Sequence, residues 1–205
     1  QYFAFSTMHN KDQVEMTSNI FEYLGALSII STIVLMGFSR IIFSIFLNAD
    51  FVRGFIIFPY LFIAPLFLML FQTISNQFLV IKKTWPTTLI LFFGATINII
   101  LNLILIPIIG IEGAAIGTLL GYIAIVFLCY FILSKMNFII IKKRFLIVFS
   151  LFCFSIGIWR IFLINNNLLS ILFSLIIALI ICIIYIEELK ILLCKISCLV
   201  CLLRS

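Results

Sequence analysis

The sequence predicts an all-α, polytopic membrane helix bundle of six transmembrane helices. Composition is the first reason. Of 205 residues, 65% are hydrophobic and only 10% charged, and the mean hydropathy is +1.39; soluble domains run at about half apolar and a quarter charged. The second reason is length: the apolar runs reach the roughly 20 residues that a helix needs to cross a bilayer, and they lack the short alternation of an outer-membrane barrel. The third is charge placement. The net charge of +6 comes from cations in short connections between apolar runs, which is a topology signal, and no nucleic-acid partner is expected.

Residues 1–17, with His9, Lys11, Asp12 and Glu15, read as a polar approach segment. His9 has no companions at metal-ligand spacing and is expected in a loop. The first span is expected at 19–38, then a short amphipathic helix at the interface over 39–48, and a loop through Asp50 and Arg53. The second span covers 54–81, with Pro59 and Pro65 expected to bend its first half and a polar second half of Gln72, Thr73, Ser75, Asn76 and Gln77. The third covers 86–107, where Trp85 suits the interface and Pro86 a first helical turn. The fourth covers 112–133, the fifth 145–164 and the sixth 168–186, with Asn165, Asn166 and Asn167 in the last turn and a mixed apolar and basic tail over 187–205.

Six spans place Lys11, Lys82, Lys83, Lys135, Lys142, Lys143, Arg144, Lys190, Lys195 and Arg204 on one side, and Arg40, Arg53 and Arg160 on the other. The positive-inside rule makes the first side cytoplasmic, together with both ends of this segment.

The densest pattern lies in 94–122. Gly94, Asn98 and Asn102 recur every four residues and share one helix face. Pro107 and Gly110 are expected to end that helix in a tight turn. Gly113, Gly117 and Gly121 then form a stripe of small residues that lets a neighbouring backbone come close, a structural role. Asn98 and Asn102 need protein partners or water inside a bilayer; packing against that glycine face is their favoured role, and lining a substrate path is the alternative.

The run Asn98-x3-Asn102-x-Ile104-Leu105-Ile106-Pro107-x2-Gly110-x2-Gly113-Ala114-Ala115-x2-Thr118 resembles the signature of the polysaccharide transporter family. These are bacterial Wzx-type flippases for O-antigen and other lipid-linked sugar repeats, in the superfamily that also holds multidrug exporters. Gln77-Phe78-Leu79-Val80-x-Lys82-Lys83-Thr84 is similar to the end of the family's preceding helix. Ser39-Arg40-Ile41-Ile42 and the Phe51 region resemble its short segment after the seventh span. The resemblance covers roughly residues 15–135. It implies one half, the C-terminal six-helix lobe, of a twelve-span, two-lobe transporter whose pathway runs between lobes. The start at Gln1-Tyr2-Phe3 fits a fragment; the partner is then an N-terminal six-span lobe. It also implies a lipid-linked oligosaccharide as substrate, the bacterial inner membrane as location, and no bond chemistry, cofactor or metal.

Such a transporter needs cations for phosphate, amides and hydroxyls for sugar, and a site for any coupling ion. Arg160 and, less so, Arg40 are the candidate phosphate ligands; snorkelling to the outer interface is the favoured reading for each. Gln72, Asn76 and Gln77 are candidate groove residues, with helix–helix hydrogen bonding as the alternative. Glu112, at a helix start, is expected to complement the helix dipole, while Glu22, Glu187 and Glu188 fall near interfaces and none is central. Cys129, Cys153 and Cys182 read as small apolar residues within spans, and Cys194, Cys198 and Cys201 as reduced thiols in the tail. No catalytic constellation is present, so an enzyme is not expected. The alternatives are a small-molecule exporter, which would typically carry an intramembrane acid, and a membrane polysaccharide polymerase, which would usually need a large external loop.

Overall fold

The computed structural model describes residues 12–46 and 54–186, and every described element is helical. The helices are α1 (Asp12–Phe46), α2 (Phe58–Val80), α3 (Trp85–Ile109), α4 (Ile111–Lys135), α5 (Lys143–Ile158) and α6 (Asn167–Ile184), with a π-helical turn at Trp159–Leu163 between the last two. Six helical segments are long and apolar enough to cross a membrane. The chain is a multi-pass membrane bundle.

α1 is central and packs against α2, α5 and α6; α2 also packs on α4, and α4 makes its most extensive contact with α3. The core runs along these seams through Phe21, Ile33, Met36, Ile74, Cys129 and Ile181. The rings of Phe21 and Phe145 lie 5.4 Å apart, and those of Phe67 and Phe149 6.1 Å. α3 buries only Ile90 and Gly94, and outside the face that carries Asn98 and Asn102 it exposes large apolar side chains such as Phe92, Leu103 and Ile108, which suit contact with lipid.

Several helix boundaries differ from expectation. α1 starts at Asp12, well inside the expected polar segment, because Gln13 is buried and its side chain meets that of Gln77 on α2 at 3.5 Å. α1 also continues unbroken to Phe46, so residues 39–46 are no separate interfacial helix. Ser39 is buried and donates to the Met36 carbonyl at 2.8 Å, and Gly37 sits against Ser174 of α6, so this stretch is held in the bundle. At 35 residues, α1 is about 50 Å long, against a hydrocarbon core of about 30 Å. Finally, Pro59 lies in the first turn of α2, where it starts a helix without disturbing one; Pro65 lies inside it.

Pro107 does not end α3. The helix runs two residues further and closes with Gly110 N–H donating to the Ile106 carbonyl at 2.9 Å. Gly110 alone reverses the chain, with φ +64° and ψ −140°, a conformation open in practice only to glycine. A one-residue turn keeps the last turns of α3 in contact with the first turns of α4, and Gly113 lies so close that an added Cβ would stand 2.6 Å from the Leu105 carbonyl.

Gly113→Ala is therefore expected to destabilise the bundle by about 1–3 kcal/mol, because the obstacle is backbone that cannot rotate away. Gly157→Ala, where an added Cβ meets nothing within 4 Å, is expected to be neutral or mildly stabilising. Unfolding in mixed detergent micelles reads both, and equal losses would contradict the packing argument.

Candidate functional site

Near the middle of the hairpin, α3 and α4 approach backbone to backbone. A Cβ on Gly94 would collide with Ile125, one on Gly117 with the Asn102 side-chain oxygen, and one on Gly121 would lie 3.1 Å from Cβ of Asn98. The glycine stripe thus receives both asparagines, as expected. Asn102 donates through Nδ2 to Asn98 Oδ1 at 2.9 Å. Its own Oδ1 is buried without a hydrogen-bond partner among the described residues.

Asn98 does more than pack. It lines a cleft of about 480 Å³ with Leu68 of α2, Gly94 and Ala95 of α3, and Gly121 and Tyr122 of α4. α2 and α3 touch only slightly, and the space between them, floored by α4, is this cleft. The Tyr122 hydroxyl has no hydrogen-bond partner among the described residues, so it is left to water or a ligand. Tyr122 had no place among the sequence candidates. Its signal was faint, a phenol one residue beyond the glycine stripe.

The polar half of α2 divides. Gln77 is buried and donates to Thr17 Oγ1 at 2.5 Å, which is helix–helix bonding. Thr73 and Ser75 donate back to the carbonyls of Met69 and Gln72. Gln72 is exposed and Asn76 half-buried; Gln72 lies one turn from Leu68, on the same face of α2. The two asparagines of α3 and the amides of α2 therefore do not converge in one hydrogen-bonded cluster.

Neither arginine candidate lines the cleft. Arg160, in the π-helical turn, is held by Glu112 at the start of α4 through a two-pronged pair, Nε to Oε1 at 2.7 Å and Nη2 to Oε2 at 2.9 Å. Glu112, expected to complement a dipole, also carries this ion pair. Arg40 donates from Nη1 to the Asn165 carbonyl at 3.2 Å and lies 5.7 Å from the Phe55 ring centroid. The π turn directs Trp159 inward, where Nε1–H donates to Ser170 Oγ at 2.8 Å. Ser170, Ser174 and Ala178 form a small-residue face on α6 that packs on α1 near Gly37. Their spacing of four was legible, and serine is one of the small residues that serve such faces.

At the end that carries Lys82, Lys83, Lys135 and Lys142, a second ionic group forms that sequence alone does not reveal. Glu22 of α1 is buried; it accepts from Arg144 Nε, from the Tyr185 hydroxyl at 3.2 Å, and pairs with Lys142 Nζ at 3.7 Å. Lys142 Nζ also donates to Asn19 Oδ1 at 2.9 Å, and Ile140 N–H to Ser18 Oγ at 3.0 Å. The partners lie 120 residues or more apart in sequence, so no spacing announces them. This carboxylate lies level with a connecting loop, away from the middle of the bundle.

Cys129 is buried, Cys182 half-buried and Cys153 exposed, all as free thiols. Among the described residues no group of His, Cys, Asp and Glu could hold a metal ion. His9, Lys11, Phe51, Asp50, Arg53, Glu187, Glu188, Lys190, Cys194, Lys195, Cys198, Cys201 and Arg204 lie outside the described residues. Comparison with models of known families, with characterised proteins and with solved structures found no match.

The two ionic groups differ in burial: the Arg144 side chain is 24% exposed over a carboxylate at 4%, and the Arg160 side chain is 41% exposed. Arg144→Met is expected to cost about 3 kcal/mol, since it takes the closest cation from a buried carboxylate. Arg160→Met is expected to cost about 1 kcal/mol or less. Unfolding midpoints of the two variants check the order, and a reversed order would contradict it.

Proposed function

We propose that the chain forms one six-helix lobe of a transporter that flips a lipid-linked oligosaccharide from the cytoplasmic to the outer face of a bacterial inner membrane by alternating access. The observation that carries this reading is the mid-bundle cleft between α2 and α3. It offers an amide from Asn98 and an unpaired phenol from Tyr122 within otherwise apolar walls. A sugar headgroup asks for such neutral donors and acceptors, while its lipid tail asks only to remain in the bilayer. The likeness of the α3–α4 hairpin to the polysaccharide transporter signature points the same way.

In this reading the lysine-rich end is cytoplasmic, and a second six-span lobe faces the cleft to complete the pathway. Arg160 serves as a tie between the start of α4 and the end of α5, because Glu112 already occupies its fork. The helix connections described at that same end are short, one residue at Gly110 and three at 164–166, which leaves little for a polymerase to build on.

The test is a strain lacking the intact protein, in which lipid-linked repeats on each membrane face are measured. Single repeats are expected to accumulate on the cytoplasmic face. Accumulation on the outer face would assign a polymerase, and none would overturn the glycan reading in favour of a small-molecule exporter. On complementation, Tyr122→Phe and Asn98→Ala are expected to lower the flipping rate about five- to tenfold each at unchanged protein level, the effect of one lost hydrogen bond. Unchanged rates would remove the cleft from the pathway.

A further inference from the structure

We infer that a second groove, on the lysine-rich end of the α3–α4 hairpin, is a binding site for an anionic phospholipid. It encloses about 540 Å³ between the end of α2, the first half of α3 and the second half of α4. Its walls are apolar, with Leu89, Leu128 and Ile132 among them and Phe78 as buried floor; Lys83 and Trp85 stand at its mouth. It is distinct from the polar cleft, which lies further along the same hairpin.

The backbone builds the mouth. α2 ends with Lys82 in the left-handed region at φ +59°, Lys82 N–H donating to the Leu79 carbonyl at 3.0 Å and Lys83 N–H to the Phe78 carbonyl at 2.9 Å. This Schellman closure folds both lysines back beside the first turn of α3. Both are exposed. Among the described residues neither has an ion-pair or hydrogen-bond partner for its ammonium: Glu22 is taken by Arg144 and Lys142, Glu112 lies at the opposite end, and Glu15 of α1, exposed at the same end, pairs with neither.

Trp85 is 64% exposed, and an exposed Trp at a helix start marks the level of the headgroups. An apolar slot that runs from that level along the hairpin suits an acyl chain, and the unpaired ammonium of Lys83 at its mouth, with Lys82 next to it in the chain, suits a phosphate. A zwitterionic lipid would bring its own cation to the same spot. Basic pockets between membrane helices recognise anionic headgroups on this electrostatic ground.

Trp85 is itself the reporter. The protein is reconstituted in nanodiscs of phosphatidylcholine containing, at equal mole fraction, either dibrominated phosphatidylglycerol or dibrominated phosphatidylcholine, and Trp fluorescence is recorded. Trp85→Phe supplies the blank, since Trp159 is buried at the other end. Quenching of Trp85 is expected to show about a fivefold preference for the phosphatidylglycerol, the enrichment one lysine near the surface provides. Lys83→Gln is expected to abolish most of that preference. Lys143→Gln, an equal loss of charge elsewhere on the same end, is expected to leave it unchanged.

Equal quenching by both lipids, or equal effects of the two lysine variants, would overturn the proposal. So would the absence of quenching by either lipid, which would mean that protein covers the groove. Displacement of the brominated lipid by stoichiometric polyprenyl phosphate would also overturn it and assign the groove to an isoprenoid carrier.

Discussion

A charge buried inside protein must be paired, because the water that would receive it is excluded, and the buried carboxylate of Glu22 meets this constraint in its sharpest form. One side chain of α1 collects Arg144 from the start of α5, Lys142 from the loop before it, and Tyr185 from just beyond α6. Three helices and a connection are thereby held in a single arrangement. The neighbouring bonds from Ile140 to Ser18 and from Lys142 to Asn19 extend the stitching along α1. The other polar groups obey the same rule on a smaller scale: hydroxyls donate to carbonyls one turn back, as Ser28, Thr32 and Thr118 do, and Trp159 finds Ser170.

Against that background the exceptions are informative. Two of the polar atoms without protein partners among the described residues, the Tyr122 hydroxyl and the buried Asn102 side-chain oxygen, belong to the α3–α4 hairpin. This hairpin is bound to the rest mainly through the contact of α4 with α2. It carries a polar cleft near its middle and an apolar groove at its lysine-rich end, so one pair of helices presents two chemically different faces.

The architecture was legible because hydrophobic length is a strong signal: six apolar runs became six spanning helices. The glycine stripe was equally legible, since small residues four apart have one dominant use in membranes, and Gly117 and Gly121 do receive Asn102 and Asn98. What escaped was long-range pairing. Arg160 and Glu112, like Glu22 and Arg144, read as interface residues one at a time, because a lone charge near a helix end carries no mark of its partner. Helix ends were misjudged where tertiary bonds override local polarity: Gln13 and Thr17 look like a polar approach until Gln77 of α2 binds them. Pro107 looks like a terminator, yet the helix needs only one donor fewer there and continues to Gly110.

The Glu22–Arg144 pair also has a history in time. Of these six helices α1 is synthesised first, and its cation partners follow 120 residues or more later. At typical translation rates that interval is on the order of ten seconds. During it, α1 through α4 can be made and inserted while their buried carboxylate still awaits Arg144. The α3–α4 hairpin, with its single-glycine turn, is complete in sequence within that interval, while Glu112 at its turn still awaits Arg160. Arrival of α5 then supplies the cation and closes the central helix into its final surroundings, which makes completion of this bundle an event of its fifth span rather than of its first.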